Sequence, residues 1–438
     1  MTEMNKPPLA QQAPPEHPPW LQTVATLGLQ SLQDQDLLRT RRVAQSPTHH
    51  QQRFDGQNYT SFCSNDYLGL ASESHLTQAL IEGAKRWGVG SGASHLISGH
   101  TQAHQDVEDK LSSWLSPHIP HGQTLMFSSG YAANLSLMCA LSELGQVPTV
   151  GHDSPSGEPS SRGTCIYSAR LNHASIIDGI RLARQRHGVS VQVFDTDDLA
   201  GLEKRLATDS NAVKLIVSDA VFSMDGHLAP VPALLALAER FDALLVLDDA
   251  HGLGVLGEHG HGILEHFEVT SKRIVYMGTL GKAVGVSGAF VCAPAPLCEW
   301  IFQKSRPYIY STASPAALAC ATLHSLEFIE SAEGQARRAH LHALIAHWRA
   351  KAQFKHWQLA PSNTPIQPLI VGSKQTALSA SSLLQSWGYL IPAIRPPTVQ
   401  EGKSRLRITL CANHGFSDVD QLIEHLQGAE SSCAPTHV

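Results

Sequence analysis

The sequence predicts an α/β protein built on a large, mostly parallel sheet, followed by a smaller α+β C-terminal domain. Apolar strand-sized runs alternate with helical stretches from about residue 124 to 247, the pattern of repeated βαβ units. Acids and small residues stand where those runs end, the edge at which an open parallel sheet gathers its ligands. After about Ile301 the alternation gives way to two long helical stretches and then to strands.

Residues 1–20 read as a disordered, polyproline-like arm, because Pro-Pro pairs stand where an export signal needs an apolar run. Residues 21–60 are expected to pack with the small domain, 61–300 to form the large domain and 301–438 the small one. Ser74 would cap a helix that reaches Trp87 and stops at Gly88, and Thr101 one that ends near Leu115, before Pro117. Strands are then expected at 124–127, 164–167, 189–193, 214–217 and 244–247, with helices at 131–141, 174–186, 199–207 and 230–240. Beyond 301 come helices at 315–331 and 334–355, the strands IQPLIVG and RLRITL, and a last helix near 419–426. The stretch 145–163, dense in Gly, Pro and Ser, reads as an inserted surface loop without chemistry.

Composition removes several classes of function. With 32 Lys and Arg against 38 Asp and Glu, the net charge of −6 offers no cationic field to nucleic acid or anionic lipid. No apolar stretch reaches the roughly 18 residues a membrane span needs. The eight cysteines lack C-x-x-C spacing and read as reduced thiols of a cytoplasmic protein. Histidine is abundant, 25 in all, yet there is no H-E-x-x-H and no cysteine pair, so no metal is expected.

The strand ALLVL runs into Asp248-Asp249-Ala250-His251-Gly252. An acid at that strand end can keep a cofactor's ring nitrogen protonated; the alternative is a carboxylate that caps the following turn. Gly252, Gly254 and Gly257 spell G-x-G-x-x-G, but the chain continues as GEHGHG, too rich in glycine to open the helix that a dinucleotide fingerprint requires. Lys282, in TLGKA after the strand-like RIVYMG, can become a nucleophilic amine for a carbonyl if desolvated. The alternative is a surface lysine in a Gly-rich turn, and the spacing is not that of a Walker A loop. A strand-end acid followed by a later strand-end lysine is what a pyridoxal phosphate site needs for ring and aldehyde. Ser128-Ser129-Gly130-Tyr131 opens a helix and offers free N–H groups to a phosphate. Ser223, in VFSMDG, is either a cofactor contact or a turn serine, and His173, in RLNHAS, either lies on a ring face or starts a helix. Arg395, in AIRPPT, is a candidate carboxylate partner, whereas Arg405 and Arg407 read as exposed strand arginines.

In this order these residues resemble the α-oxoamine synthases, pyridoxal-phosphate enzymes with the aspartate aminotransferase fold (fold type I). The match runs from about Leu37 to Leu426 through SNDYLGL, GSGAS, SSGYAAN, LNHASIIDG, VFSMDG, LDDAHGLGVLGEHGHG, TLGKAVGVSGA, YIYSTASP, AIRPPTV and RLRITL. The resemblance implies that Lys282 carries the cofactor, Asp248 pairs with the ring nitrogen, and His251 and Ser223 approach the ring hydroxyl. It implies that Gly130, Tyr131 and Thr279 surround the phosphate and that His173 stacks on the ring and meets substrate, so that Lys282, His173 and Asp248 form the catalytic set. Arg395 and Thr398 would receive a carboxylate, and Arg39, or Arg41 or Arg42 in its place, would touch substrate. A homodimer is implied, with Ser311-Thr312 offered to the neighbouring site. AIRPPTV with IQPLIVG is most similar to the members that condense L-alanine with a pimeloyl thioester, on CoA or a carrier protein, in biotin biosynthesis. A glycine-using member such as glycine C-acetyltransferase is the alternative. The sequence departs from the family pattern at His95, His100, Ala169 and Gln400 and in the longer 145–163 loop.

Overall fold

The computed structural model describes residues 19–147 and 163–433. The Pro-rich arm up to residue 18 and most of the inserted loop, 148–162, lie outside the described residues.

Seven strands form the large sheet: β1 (Gly122–Phe127), β2 (Thr164–Ala169), β3 (Ser190–Phe194), β4 (Val213–Asp219), β5 (Leu244–Asp248), β6 (Ile274–Thr279) and β7 (Ala289–Pro294). Their order is β1-β7-β6-β5-β4-β2-β3. The pairs from β3 through β2, β4 and β5 to β6 are parallel. These strands are apolar on both faces because both faces are covered. Leu245 and Leu247 of β5 enter one core cluster and Val246 enters the other. β7 was not among the expected strands. It runs antiparallel to both β6 and β1, since the short loop after β6 leaves no room for a crossover helix and the chain must turn straight back.

Register decides what meets at the carboxyl edge. Asp219 at the end of β4 lies opposite Asp248 at the end of β5, and Asp248 lies opposite Met277 of β6, just ahead of the loop that carries Lys282. Two covering helices feed the same edge, Gly130–Glu143 after β1 and Ala174–His187 after β2.

The C-terminal part holds a four-stranded sheet of Gln358–Leu359, Ile366–Gly372, Ser404–Thr409 and Ala393–Ile394. A hairpin, Gln51–Phe54 with Gln57–Ser61, had not been expected, although its Asp55-Gly56 turn at φ +51° and +78° is the strongest short-range hairpin signal a sequence carries. Tyr389–Leu390 pairs parallel to this hairpin and so joins the N-terminal segment to the C-terminal part. Residues 19 and 20, assigned to the disordered arm on sequence, begin a helix, Pro19–Asp34.

Other boundaries moved for local reasons. Ser74 is the first residue of its helix rather than the cap, with Glu73 in the cap position and no capping side chain. Thr101 does cap, in a reciprocal box with His104. The helix expected at 334–355 runs from Ala332 to Lys351, because Ser331 caps it through the Gly334 N–H at 3.2 Å. The helix Ala316–Glu330, beyond the expected domain boundary, packs on Ser74–Trp87, where Gly83 makes the close approach possible: a Cβ there would lie 2.9 Å from the Cys320 Cβ.

Candidate active site

β5 delivers Asp248 to the sheet edge with only 6% of its surface exposed. Its Oδ2 accepts from Asn134 Nδ2 at 2.7 Å and its Oδ1 from the Ala250 N–H at 3.0 Å. Both neighbours donate, so the position calls for a group with two acceptor oxygens. Asn134 also donates to Ser175 Oγ at 2.9 Å, and that hydroxyl meets His173 Nδ1 at 2.7 Å. His173 is held at the start of its helix, its own N–H donating to Asp219 Oδ1 at 3.2 Å. Burial, with Lys282 adding to it, lowers the His173 pKa against the opposing pull of Asp248. Asp219 is buried beside Asp248, and burial followed by the Asp248 charge raises its pKa well above the carboxylate range.

The loop after β6 presents Lys282. It is closed by the Gly285 N–H to Lys282 O (2.9 Å) and the Val286 N–H to Leu280 O (2.9 Å). Gly285 is required there: its φ is +72°, and a Cβ would lie 2.7 Å from the Leu70 Cβ and 2.8 Å from the Ala71 N. The Lys282 amine sits 2.9 Å from His251 Nε2, and His251 Nδ1 sits 2.5 Å from the Tyr67 hydroxyl. Burial brings the Lys282 pKa down to about 8 in spite of Asp248 and Asp219, so a neutral, nucleophilic amine is accessible near neutral pH.

The glycine-rich stretch after His251 forms turns, with Gly254 and Gly257 at positive φ, and the helix that follows Gly262, Ile263–His266, is a single turn. Asp249 ties it down, accepting from the Ile263 N–H at 2.6 Å and from the Tyr276 hydroxyl at 2.8 Å. At the opposite end of the site Ser129 caps the Gly130–Glu143 helix, its Oγ accepting from Ala132 N at 3.2 Å. That cap leaves the N–H groups of Gly130 and Tyr131 as first-turn donors without a helical partner. The Tyr131 ring is anchored by its hydroxyl on Asp178.

These groups surround a cavity of about 200 Å³, lined by Gly130, Tyr131, Asn134, His173, Ser175, Asp219, Asp248, Ala250, His251, Met277, Thr279 and Lys282. Every cofactor residue expected from the sequence lines it except Ser223, whose carbonyl instead accepts from Arg407 Nε at 2.7 Å. Asn134, Ser175 and Asp219 had been given no role. Asp219 carried a readable signal, since it ends the apolar run KLIVSD as Asp248 ends LLVLD. A larger cavity, about 620 Å³ and lined by His342, Glu265 and Thr364 among others, lies apart from Lys282.

Of the expected substrate residues, His173 lines the Lys282 cavity, whereas Arg395, Thr398 and Arg39 do not. Arg395 is half-buried and its guanidinium rests on the Asp36 carbonyl; Thr398 and Arg39 are exposed. Arg41 is exposed too, and Arg42 reaches Gln385. Arg405 and Arg407 overturn the expectation of exposed strand arginines. They are 5% and 6% exposed, Arg405 pairing with Asp225 at 2.6 Å and Arg407 bonding the Ser223 carbonyl, because their strand lies inside the small sheet against the VFSMDG turn.

A two-acceptor carboxylate at a strand end, a desolvated lysine and a helix N-terminus around one cavity define an enzyme site able to hold a phosphorylated aldehyde cofactor with a basic ring nitrogen. The residues fit pyridoxal phosphate: Lys282 for the aldehyde, Asp248 for the nitrogen, the Gly130–Glu143 helix start for the phosphate. The chain belongs to the aminotransferase class I and II family, whose family model matches residues 57–426. Within it the chain stands with curated 8-amino-7-oxononanoate synthases. It is 48% identical to that of Janthinobacterium sp. (strain Marseille) over 92% of this chain and 96% of the relative, and 49% identical to that of Bordetella petrii over 91% and 95%. Among solved structures it resembles 8-amino-7-oxononanoate synthase from Francisella tularensis, with a TM-score of 0.67, 26% identity and coverage of 85% of this chain and 98% of the other. It shares the fold of Sphingomonas wittichii serine palmitoyltransferase, with a TM-score of 0.79, 24% identity and coverage of 95% and 98%. No helix among the described residues is long and apolar enough to cross a membrane.

Proposed function

We propose that this chain is a pyridoxal-phosphate-dependent acyltransferase that condenses L-alanine with pimeloyl-CoA, or a pimeloyl carrier protein, to give 8-amino-7-oxononanoate, CO2 and the free thiol in biotin biosynthesis. The observation that carries the reading is the Lys282 amine, brought into nucleophilic range by burial, beside Asp248 and His251 in a cavity that opens onto a helix N-terminus. When bound, the cofactor supplies an electron sink for the pair left at the alanine Cα.

The chain's own residues do the rest. Asp248 would hold a proton on the ring nitrogen, and Asn134 and the Ala250 N–H keep its two oxygens in place. Lys282 would hold the aldehyde carbon, and its free amine would be the base for the alanine Cα proton. His251 and Ser223 would serve the ring hydroxyl, His173 would serve the ring face, and Gly130, Tyr131 and Thr279 would hold the phosphate. Arg395 and Thr398 receive the substrate carboxylate, and Arg39 touches substrate; this requires Arg395 to exchange the Asp36 carbonyl for a stronger, bidentate partner. The large cofactor domain spans 61–300 and the small domain 301–438, with 145–163 an insertion. Two chains pair in the cytoplasm, and the exposed Ser311 and Thr312 reach the neighbouring site.

The test is to load the purified chain with cofactor, add pimeloyl-CoA with L-alanine or glycine, and follow thiol release beside mass detection of the amino-ketone. Product with alanine supports the reading. Preference for glycine or a short acyl thioester moves the chain to a sister activity. Lys282→Ala should lower turnover by at least ~10³-fold, and substantial activity in that variant would sink the assignment. Sedimentation of the loaded chain tests the dimer.

A further inference from the structure

We propose that the basic face at the far end of the Ala174–His187 helix, built from Arg184, Arg186 and Arg306, docks an acidic acyl carrier protein whose phosphopantetheine arm spans the length of that helix to the Lys282 cavity. The proposal deepens the function above, choosing the carrier-borne thioester over CoA, and rests on that reading.

The helix begins at the active site and ends away from it. His173 caps its start beside the Lys282 cavity, while Arg184, Arg186 and His187 occupy its last turn. Its 14 residues, rising ~1.5 Å each, set the two ends ~20 Å apart. A row of side chains joins them. Tyr131, which lines the cavity and is 45% exposed, bonds Asp178 through its hydroxyl; Arg181 pairs with Asp178 at 2.9 Å, and Arg184 follows one turn on. A phosphopantetheine arm has about fourteen bonds between the carrier's serine oxygen and the sulfur, and at the ~1.2 Å that each bond advances in an extended chain it reaches ~17 Å. The thioester carbon lies one bond further. An acyl group delivered into the cavity therefore leaves the surface of its carrier against the far end of the helix.

There the fold gathers cations from separate elements. Arg186, His187, Lys304, Arg306 and Tyr310 line a pocket of about 370 Å³. Lys304 is answered by Glu143 at 2.6 Å. Arg184, Arg186 and Arg306 are all exposed, and among the described residues no carboxylate stands within ion-pair distance of them. Arg306 lies 4.7 Å from the centroid of the Tyr310 ring, itself 70% exposed. Cations in the last turn of a helix complement its dipole, which accounts for Arg184 and Arg186 without a partner. It does not account for Arg306, which opens the separate helix Arg306–Ile309. Arg184 lies outside the pocket, so the cations extend across an open surface, an arrangement suited to several carboxylates on a partner rather than to one phosphate group. The whole chain carries a net charge of −6, so an acidic partner is disfavoured elsewhere and steered to this face.

The experiment uses the full-length, cofactor-loaded chain and the phosphopantetheinylated acyl carrier protein of the same organism, without an acyl group, and reads their binding by fluorescence anisotropy. Wild type should bind with an affinity that falls as salt is raised. The triple variant Arg184→Glu, Arg186→Glu, Arg306→Glu should bind at least ~10-fold more weakly at low salt, and the gap should narrow at high salt. Reversing three exposed lysines elsewhere, Lys85→Glu, Lys204→Glu and Lys272→Glu, makes the same change in net charge and should leave the affinity within about twofold. CoA, titrated by calorimetry, should bind wild type and the arginine variant within about twofold of each other. A wild type that does not bind the carrier, an arginine variant that binds it as well as wild type, or equal weakening by both triple variants overturns the proposal. A loss of CoA affinity as large as the loss of carrier affinity also overturns it, because it assigns the arginines to the phosphates of CoA. None of these readouts uses turnover, so a failure of the alanine and pimeloyl reading appears only in the product assay and is distinguishable.

Discussion

Replacing Asp248 by Asn keeps the shape at the end of β5 and removes one acceptor. Both neighbours of the carboxylate donate, Asn134 Nδ2 at 2.7 Å and the Ala250 N–H at 3.0 Å. Whichever way the new amide is turned, its NH2 must face a donor at a position 6% exposed. The cost is one lost bond and one unpaired buried donor, about 1–3 kcal/mol. Lys282 also loses its largest opposing charge, so its midpoint falls below the wild-type value of about 8. Urea unfolding of the cofactor-free chain reads the first effect, and amine acetylation against pH the second. The double change Asp248→Asn with Asn134→Asp restores a donor–acceptor pair across the same gap and should recover part of the stability. It should recover none of the turnover, because the charge no longer stands at the strand end. Wild-type stability in Asp248→Asn, or wild-type turnover in the double variant, would refute the reasoning.

Two further changes test other parts of the structure. Glu108 is 6% exposed, accepts from the Met126 N–H at 2.8 Å, and is pushed up to about 8 by burial. A carboxyl whose folded pKa is raised holds its proton in the native state while the unfolded chain releases it, so stability falls as pH rises from its ordinary value toward 8. Glu108→Gln keeps the acceptor and cannot ionise; it should match wild type near pH 4 and exceed it at pH 9 by on the order of 1–3 kcal/mol, and a constant difference across pH would count against this account. Gly285→Ala forces a side chain into a +72° φ and onto Leu70 and Ala71 backbone and Cβ atoms. It should cost about 2–4 kcal/mol and blunt cofactor binding by displacing the Lys282 loop, read by unfolding and by cofactor titration; an unchanged affinity would show that the loop tolerates the shift.

Much of this molecule is legible without coordinates, and the legible part has a common cause. The runs CIYS, KLIV and LLVL are apolar because both faces of a central parallel strand are covered, and that burial is visible as uninterrupted hydrophobicity. Asp248 and Lys282 stand out because a polar residue directly after such a run must lie at the sheet edge. β7 escaped notice because nothing in GAFVCAP states its direction; only the short return from β6 does. The arginines of RLRITL were misread because alternation of charged and apolar residues normally marks a half-exposed strand, and here the outward face is covered by the VFSMDG turn, which offers Asp225 and two carbonyls to the guanidinium groups.

By itself the sequence determined the class of fold, the strand-end acid and lysine, and the family, because each depends on the order of residue types along one local stretch. Only the tertiary structure decided which distant groups touch. Asn134 comes from a helix after β1 to hold the carboxylate of β5. Tyr67, His251 and Lys282 form one chain from three separate segments, with Asn65 and the Arg407 of the small sheet behind them. Local pattern carries the identity of a side chain and its face. Strand order, register and burial set its partner and its proton, and those arise only when the sheet edge, the N-terminal turn and the small domain have packed together.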